Sequence, residues 1–302
     1  MRDPQPATQL GREPDPDERT LSLPSGPTFE MPERLVFVRH GRGQNNDIQE
    51  AVRNGNLASF PKEYVDTPDR EFRLSGIAMR ECKETGEWLA SQYPEGFDVL
   101  YVADHIRARE TAARVAMAAG WHNVKIRVDA MLNETSWGAH AQISDEDRAA
   151  LLAQRERDPL NTHMPKGEAL LNVRLRSKDL FDRAWREFGG QKVLVFTHGE
   201  YMKMAWAEIE HMTTERQKEF FSTDEGHLKN CQVVEFASTG PAGEPSNGQL
   251  NWVRSSCPQA GVEGIWRPLK RVEYTPEQML EEIERLYPSL SFPDLEGLSP
   301  SE

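Results

Sequence analysis

The sequence predicts an α/β fold: a three-layer α/β/α sandwich around a mostly parallel central sheet. Two observations carry this reading. From Leu35 onward, apolar runs of strand length alternate with amphipathic stretches of helix length, the pattern of successive βαβ units whose sheet is covered on both faces. In addition, Leu35-Val36-Phe37-Val38 and Val193-Leu194-Val195-Phe196 are unbroken apolar runs, as expected of strands buried on both sides. At 302 residues the chain is read as one large sheet-based domain with extensions.

Residues 1–32 carry Pro4, Pro6, Pro14, Pro16, Pro24 and Pro27 among Asp, Glu, Arg and Ser, with few large apolar residues to offset the entropy of ordering, so they read as a disordered arm. The domain proper spans 33–237. Its elements in order are a strand over 35–38, a helix near 74–92, a strand over 98–103, a helix over 106–119 and a strand over 124–128. Helices follow near 144–157 and 167–188, then a strand over 192–197, helices around 200–210 and 213–221, and a last strand near 232–236. The Gly, Pro and Ser content of 238–248 marks a loop. The remainder, 238–302, is read as a C-terminal extension that folds back on the domain through Trp252, Trp266, Pro268 and an amphipathic stretch over 275–287. No internal repeat is present.

The formal net charge of -13 disfavours nucleic acid and anionic membranes as partners, so any anion must be bound by a local cluster of cations. Cys82, Cys231 and Cys257 are isolated and odd in number, which fits a reducing compartment and small core residues better than a disulfide framework. No stretch approaches the ~18 consecutive apolar residues of a membrane span, and no apolar N-terminal segment reads as a secretory signal. The location expected is cytoplasmic.

Each of the two buried strands ends on a histidine and a glycine: Arg39-His40-Gly41 and His198-Gly199. Ligands of open parallel sheets bind at the carboxyl ends of the strands, so both imidazoles can reach one crevice from distant parts of the chain. Glycine after each histidine lets the backbone turn sharply and approach a ligand. His40 lies between Arg39 and Arg42 and beside the amide of Gly41, an environment that favours a phosphate. Neutral imidazole can attack phosphorus while guanidinium groups, whose planar forks match phosphate oxygens, neutralise the developing charge. An isolated His-Gly pair more often marks a core histidine at a turn; two matching strand ends in an Arg-rich surround argue for a site. A metal hydrolase built on His40, His105 and His198 lacks accompanying carboxylate or cysteine ligand spacing. Phosphoryl chemistry of this kind calls for no metal and no cofactor.

The segment Leu35-Val36-Phe37-Val38-Arg39-His40-Gly41-Arg42-Gly43-Gln44-Asn45-Asn46 resembles the opening of the histidine phosphatase superfamily, also called phosphoglycerate mutase-like. Its members begin with a strand, Arg-His-Gly, and an asparagine five positions after the glycine. Further matches follow in the family's order: Leu74-Ser75 through Gly86-Glu87-Trp88-Leu89, and Asp98 through Arg107-Ala108-Arg109-Glu110-Thr111-Ala112. Then come Leu132-Asn133-Glu134 with Trp137-Gly138, Pro165-Lys166-Gly167-Glu168 with Val173 and Arg176, and Val195-Phe196-Thr197-His198-Gly199. The likeness covers about 34–237. It implies a phosphoglycerate mutase-like fold and a metal-independent phosphomonoester hydrolase, histidine acid phosphatase-type, acting on a small phosphorylated substrate or a phosphoprotein.

By this resemblance His40 is the nucleophile that becomes phosphohistidine, and Arg39, Arg107 and His198 surround the phosphoryl group. Glu134 is the acid that protonates the leaving oxygen, with Asp129, Glu146 and Glu200 as competitors. Gly41, Asn46 and Gly199 would touch substrate, Asn46 alternatively capping a turn. Arg107 is preferred to Arg109 for its register with Thr111, which leaves Arg109 on the surface. Gly43 stands where the family usually has Ser, Thr or Glu, leaving only a backbone amide there. The long segment between Asn46 and Leu74 is expected to lie over the crevice. Phosphoglycerate mutase-type transfer and a non-catalytic anion-binding module are the alternative functions.

Overall fold

Strand β1 (Arg34–Arg39) buries Leu35, Val36, Phe37 and Val38 completely, which requires neighbours along both edges and cover on both faces. Both are present in the computed structural model, which describes residues 29–139 and 142–287. The other strands are β2 (Val99–Val102), β3 (Ile126–Val128), β4 (Lys192–Thr197), β5 (Val233–Ala237), β6 (Trp252–Ser256) and β7 (Arg267–Pro268). Among the described residues they form one sheet in the order β3-β2-β4-β1-β5-β6-β7. The β3-β2, β2-β4 and β4-β1 pairs are parallel, whereas β1-β5, β5-β6 and β6-β7 are antiparallel. The sheet is thus mixed, with β5 and β7 opposing the direction of the rest, and its parallel half holds both His-Gly strand ends.

The helices are α1 (Gln44–Arg53), α2 (Lys62–Asp66), α3 (Ala78–Gln92), α4 (Ile106–Ala118), α5 (Asp145–Arg157), α6 (Leu170–Glu187), α7 (Gly199–Ile209), α8 (Thr214–Ser222) and α9 (Pro276–Leu286). Adjacent residues of β5 identify the two covering layers, since neighbours in a strand face opposite ways. Phe236 meets Trp206 of α7 edge-on at 5.8 Å between ring centroids, while Glu235 accepts from the hydroxyl of Tyr93, which follows α3. Helix α6 packs with α7 on the first face and α4 with α3 on the second. Gly86 makes the α3-α4 approach possible: an added Cβ would lie 2.5 Å from the Val115 carbonyl oxygen and 2.7 Å from the Ala118 Cβ. Each fully buried Leu, Val or Phe of this core contributes roughly 1.5–3 kcal/mol through loss of water contact.

The structure differs from the sequence reading in three places. The C-terminal extension does more than pack on the domain, because Trp252 pairs with Ala237 and Val253 with Phe236 to continue the central sheet. The segment between Asn46 and Leu74 contains most of helix α1 and all of α2, which have too few apolar positions to announce themselves. Of the arm read over 1–32, residues 1–28 lie outside the described residues. Phe29 stacks on Trp185 at 4.9 Å, and the Met31 N–H donates to the Gly248 carbonyl at 2.9 Å. The amphipathic stretch over 275–287 contains α9, and 288–302 lie outside the described residues. Among the described residues no helix is long and apolar enough to cross a membrane.

Candidate active site

Parallel pairing brings the two histidines together. The His40 N–H donates to the Thr197 carbonyl at 2.8 Å, extending the β1-β4 ladder one residue beyond the strand, so His40 and His198 emerge side by side with ring centroids 4.9 Å apart. His198 is the N-cap residue of α7. Both rings are buried. Nδ1 of His40 lies 2.7 Å from the Gly41 carbonyl and donates to it, which leaves Nε2 as the lone-pair nitrogen.

Arg107, the second residue of α4 and 2 % exposed, connects the two rings. Its Nε approaches His40 Nε2 at 3.4 Å, and its Nη2 approaches His198 Nδ1 at 3.4 Å. The latter contact places the His198 proton on Nε2, a buried donor with no partner among the described residues. Arg39 Nε is a second such donor, although Nη1 of the same group donates to the Leu228 carbonyl. Burial and the positive charges of Arg107 and Arg39 hold His40 well below the usual imidazole pKa. His198 is lowered likewise, first by burial, then by Arg107 and by His40. Two neutral imidazoles in a cationic pocket with unpaired donors are ready to receive an anion.

Glu134 follows the 3₁₀ turn Ala130–Leu132. Arg176 fixes the segment by donating to the Met131 and Asn133 carbonyls at 2.6 and 2.8 Å. Removal from water, then the negative charge of Glu200, pushes the Glu134 carboxyl up to about 7, while Arg107, the Thr135 amide and Arg39 pull it down. The three competing carboxylates are differently placed. Asp129 caps the turn and pairs with Arg183 at 2.8 Å, Glu146 is exposed in the first turn of α5, and Glu200 pairs with Arg155 at 2.6 Å. Arg109 is exposed, 3.9 Å from Asp104.

Several expectations about the strand-end loop need correction. The Gly41 amide is not free: it donates to Thr111 Oγ1 at 2.9 Å, and that hydroxyl donates in turn to the Arg107 carbonyl at 2.7 Å. Packing favours glycine at 41, since a Cβ would sit tightly, 3.1 Å from the Ala78 Cβ and 3.3 Å from the Cys82 Sγ. At Gly199 a Cβ would come within 3.3 Å of Arg39 Nε, so close approach to that guanidinium, and no unusual backbone angle, explains the residue. The Gly43 amide donates to Asn46 Oδ1 at 3.0 Å, making Asn46 part of the α1 cap. Arg42 turns to Asp47 and Glu50 of α1, which neutralise it.

Two residues beside the pocket had no assigned role in the phosphoryl reading. His105, the N-cap residue of α4, lies edge-on to His198 at 4.7 Å, and burial followed by Arg107 lowers it to about 4. Its place two residues before Arg107 was the available signal. Asp69, on the 3₁₀ turn Asp69–Glu71, accepts from the Arg107 fork, Nη2 donating to its Oδ2 at 2.9 Å. It follows Thr67-Pro68 in an irregular stretch with no periodicity to mark it. Although the rings of His40, His105 and His198 cluster, Arg107 sits among them, and among the described residues no group of three or more His, Cys, Asp or Glu fits a metal ion.

Residues 35–242 match the family model of the histidine phosphatase superfamily, branch 1. A 2,3-bisphosphoglycerate-dependent phosphoglycerate mutase of Sinorhizobium fredii is 26% identical over 195 residues, covering 60% of this chain and 82% of that protein. Its counterpart in Rhizobium meliloti is 28% identical over 188 residues, with the same coverage of 60% and 82%. Among solved structures, a mycobacterial glucosyl-3-phosphoglycerate phosphatase superposes with a TM-score of 0.51 at 20% identity, covering 80% of this chain and 100% of that one. An alpha-ribazole phosphatase from Shigella flexneri gives a TM-score of 0.51 at 15% identity, covering 72% and 96%. These structural likenesses establish a shared fold.

Proposed function

The chain belongs to the histidine phosphatase superfamily, branch 1, and we propose that it is a metal-independent phosphomonoester hydrolase that forms a phosphohistidine on His40. One observation carries the reading: His40 Nε2 and His198 are joined through one buried arginine, and the unpaired donors His198 Nε2 and Arg39 Nε belong to the same pocket. In the first step Nε2 of His40 attacks phosphorus as the bond to the ester oxygen breaks. Arg39, Arg107 and His198 stabilise the charge on the equatorial oxygens. Glu134, protonated up to about pH 7, gives its proton to the departing oxygen. In the second step the Glu134 carboxylate takes a proton from water, whose oxygen attacks phosphorus. The bond to Nε2 breaks, and its electron pair returns to the imidazole. The donor from Nδ1 to the Gly41 carbonyl holds the ring in one tautomer throughout.

The substrate is a small phosphorylated molecule or a phosphoprotein. A panel of phosphomonoesters, assayed for phosphate release with and without chelator, tests the reading; release that disappears with chelator would refute it. A second reading draws on the names of the mutase relatives: phosphoglycerate mutase-type transfer, in which the phosphohistidine is returned to a small acid. Against it stand Gly43, which offers no side chain to a second hydroxyl, and an amide already engaged by Asn46. Incubation with 3-phosphoglycerate and a trace of 2,3-bisphosphoglycerate separates the two, since a mutase makes 2-phosphoglycerate far faster than it releases phosphate.

A further inference from the structure

The outward fork of Arg107 already holds an anion supplied by the chain. Asp69 Oδ2 accepts from Nη2 at 2.9 Å, Oδ1 lies 3.3 Å from Nη1, and the Asp69 carbonyl accepts from Nη1 at 2.7 Å. Asn45 Nδ2 adds a contact to Oδ1 at 3.4 Å, and His105 Nδ1 lies 3.6 Å from Oδ2. This is the two-pronged geometry with which arginine binds phosphate oxygens. The partners are unequal in access: Arg107 is 2 % exposed, whereas the Asp69 side chain is 52 % exposed and can swing into water. The turn that carries it is anchored beneath by buried Phe72, stacked on Tyr64 at 5.2 Å.

We infer that Asp69 is a specificity-determining residue, a built-in competitor for the phosphoryl seat on Arg107. The inference rests on the proposal that this pocket receives a phosphoryl group. Nη2, which holds Asp69 Oδ2, is the same nitrogen that faces His198, so a phosphoryl group between His40 and His198 and the carboxylate claim one donor. Two anions on one fork repel, and the incoming group must displace the carboxylate. A ligand does so only if it also satisfies the donors that the carboxylate leaves unpaired, His198 Nε2 and Arg39 Nε. Tetrahedral phosphate has the oxygens for this, whereas a carboxylate has too few. The same competition speeds release of product phosphate.

The test is calorimetric binding of inorganic phosphate to the wild-type chain and to Asp69→Asn, Glu71→Gln and Arg107→Ala, with inhibition of hydrolysis by phosphate as a parallel readout. Asparagine preserves shape and the backbone contact to Nη1 while removing the charge. The expected result is a phosphate Kd about tenfold lower in Asp69→Asn, a gain of ~1.4 kcal/mol, with the inhibition constant and KM falling by the same factor. Glu71→Gln, on the same turn and of equal charge, should change Kd less than about twofold, since exposed charges without direct contact are weakly coupled. Unchanged or weaker phosphate binding in Asp69→Asn overturns the inference and makes Asp69 a support for Arg107, while the phosphate pocket itself stands. Binding that survives intact in Arg107→Ala, or is absent from every variant, overturns the phosphoryl-seat proposal and this inference with it.

Discussion

Replacing Glu134 by glutamine separates proton donation from every other property of the pocket, because the amide keeps the size of the side chain but has no acidic proton to give. With its carboxyl at about 7, Glu134 is about nine-tenths protonated at one pH unit below that value and about one-tenth at one unit above. The working form is the protonated one. Turnover of an alkyl phosphate, whose leaving oxygen needs the proton, is therefore fully present below about pH 6 and falls about tenfold per unit as the pH rises past 7. General acid catalysis contributes typically 10²–10⁴-fold, so Glu134→Gln should lose on the order of 10²-fold or more on an alkyl phosphate and lose the alkaline limb of its profile. On 4-nitrophenyl phosphate, whose leaving group departs unaided, the loss should stay under about tenfold. Initial rates of both variants on both substrates across this range are the assay. Equal losses on the two substrates would refute the assignment and return the role to another carboxylate.

Glu200→Gln removes the like charge that helps to raise Glu134, so the alkaline limb on an alkyl phosphate should move to lower pH; an unmoved limb would break the link between the two carboxyls. Arg107→Ala deletes the donor that joins His40 to His198 and should cost at least the ~10²–10³-fold in kcat typical of one preorganised donor, whereas exposed Arg109→Ala should stay near the wild-type rate. The opposite ranking would show that the register on α4 is misassigned. Gly86→Ala forces a methyl against the Val115 carbonyl and Ala118, and urea denaturation should register a loss of about 1–3 kcal/mol. No change in the midpoint would mean that α3 and α4 are free to move apart.

The strands that deliver His40 and His198 were legible in the sequence because a strand buried on both faces is an unbroken apolar run, and β1 and β4 are such runs. The register of Arg107 with Thr111 was legible for a similar reason: helical periodicity places both on the buried face of α4, and Thr111 is tied to the Arg107 carbonyl. Local periodicity carries no information about which donors are already spent. The amides of Gly41 and Gly43 looked open to a phosphate, yet Thr111, seventy positions away, takes one and Asn46 the other. Asp69 lies in a short turn and reaches Arg107 only through the tertiary fold. The join of β6 to β5 was hidden because Trp252–Ser256 mixes apolar and polar residues and follows a long Gly- and Pro-rich loop, with only the two-residue β7 beyond it.

The account turns on a covalent intermediate at His40, and rapid quench into alkali during turnover, followed by peptide mapping by mass spectrometry, tests that most directly. The predicted result is a phosphorylated peptide with the modification on His40 Nε2, forming and decaying at rates that account for turnover, and missing from inactive His40→Ala. Phosphate found on another residue, or full turnover by His40→Ala, would contradict the account.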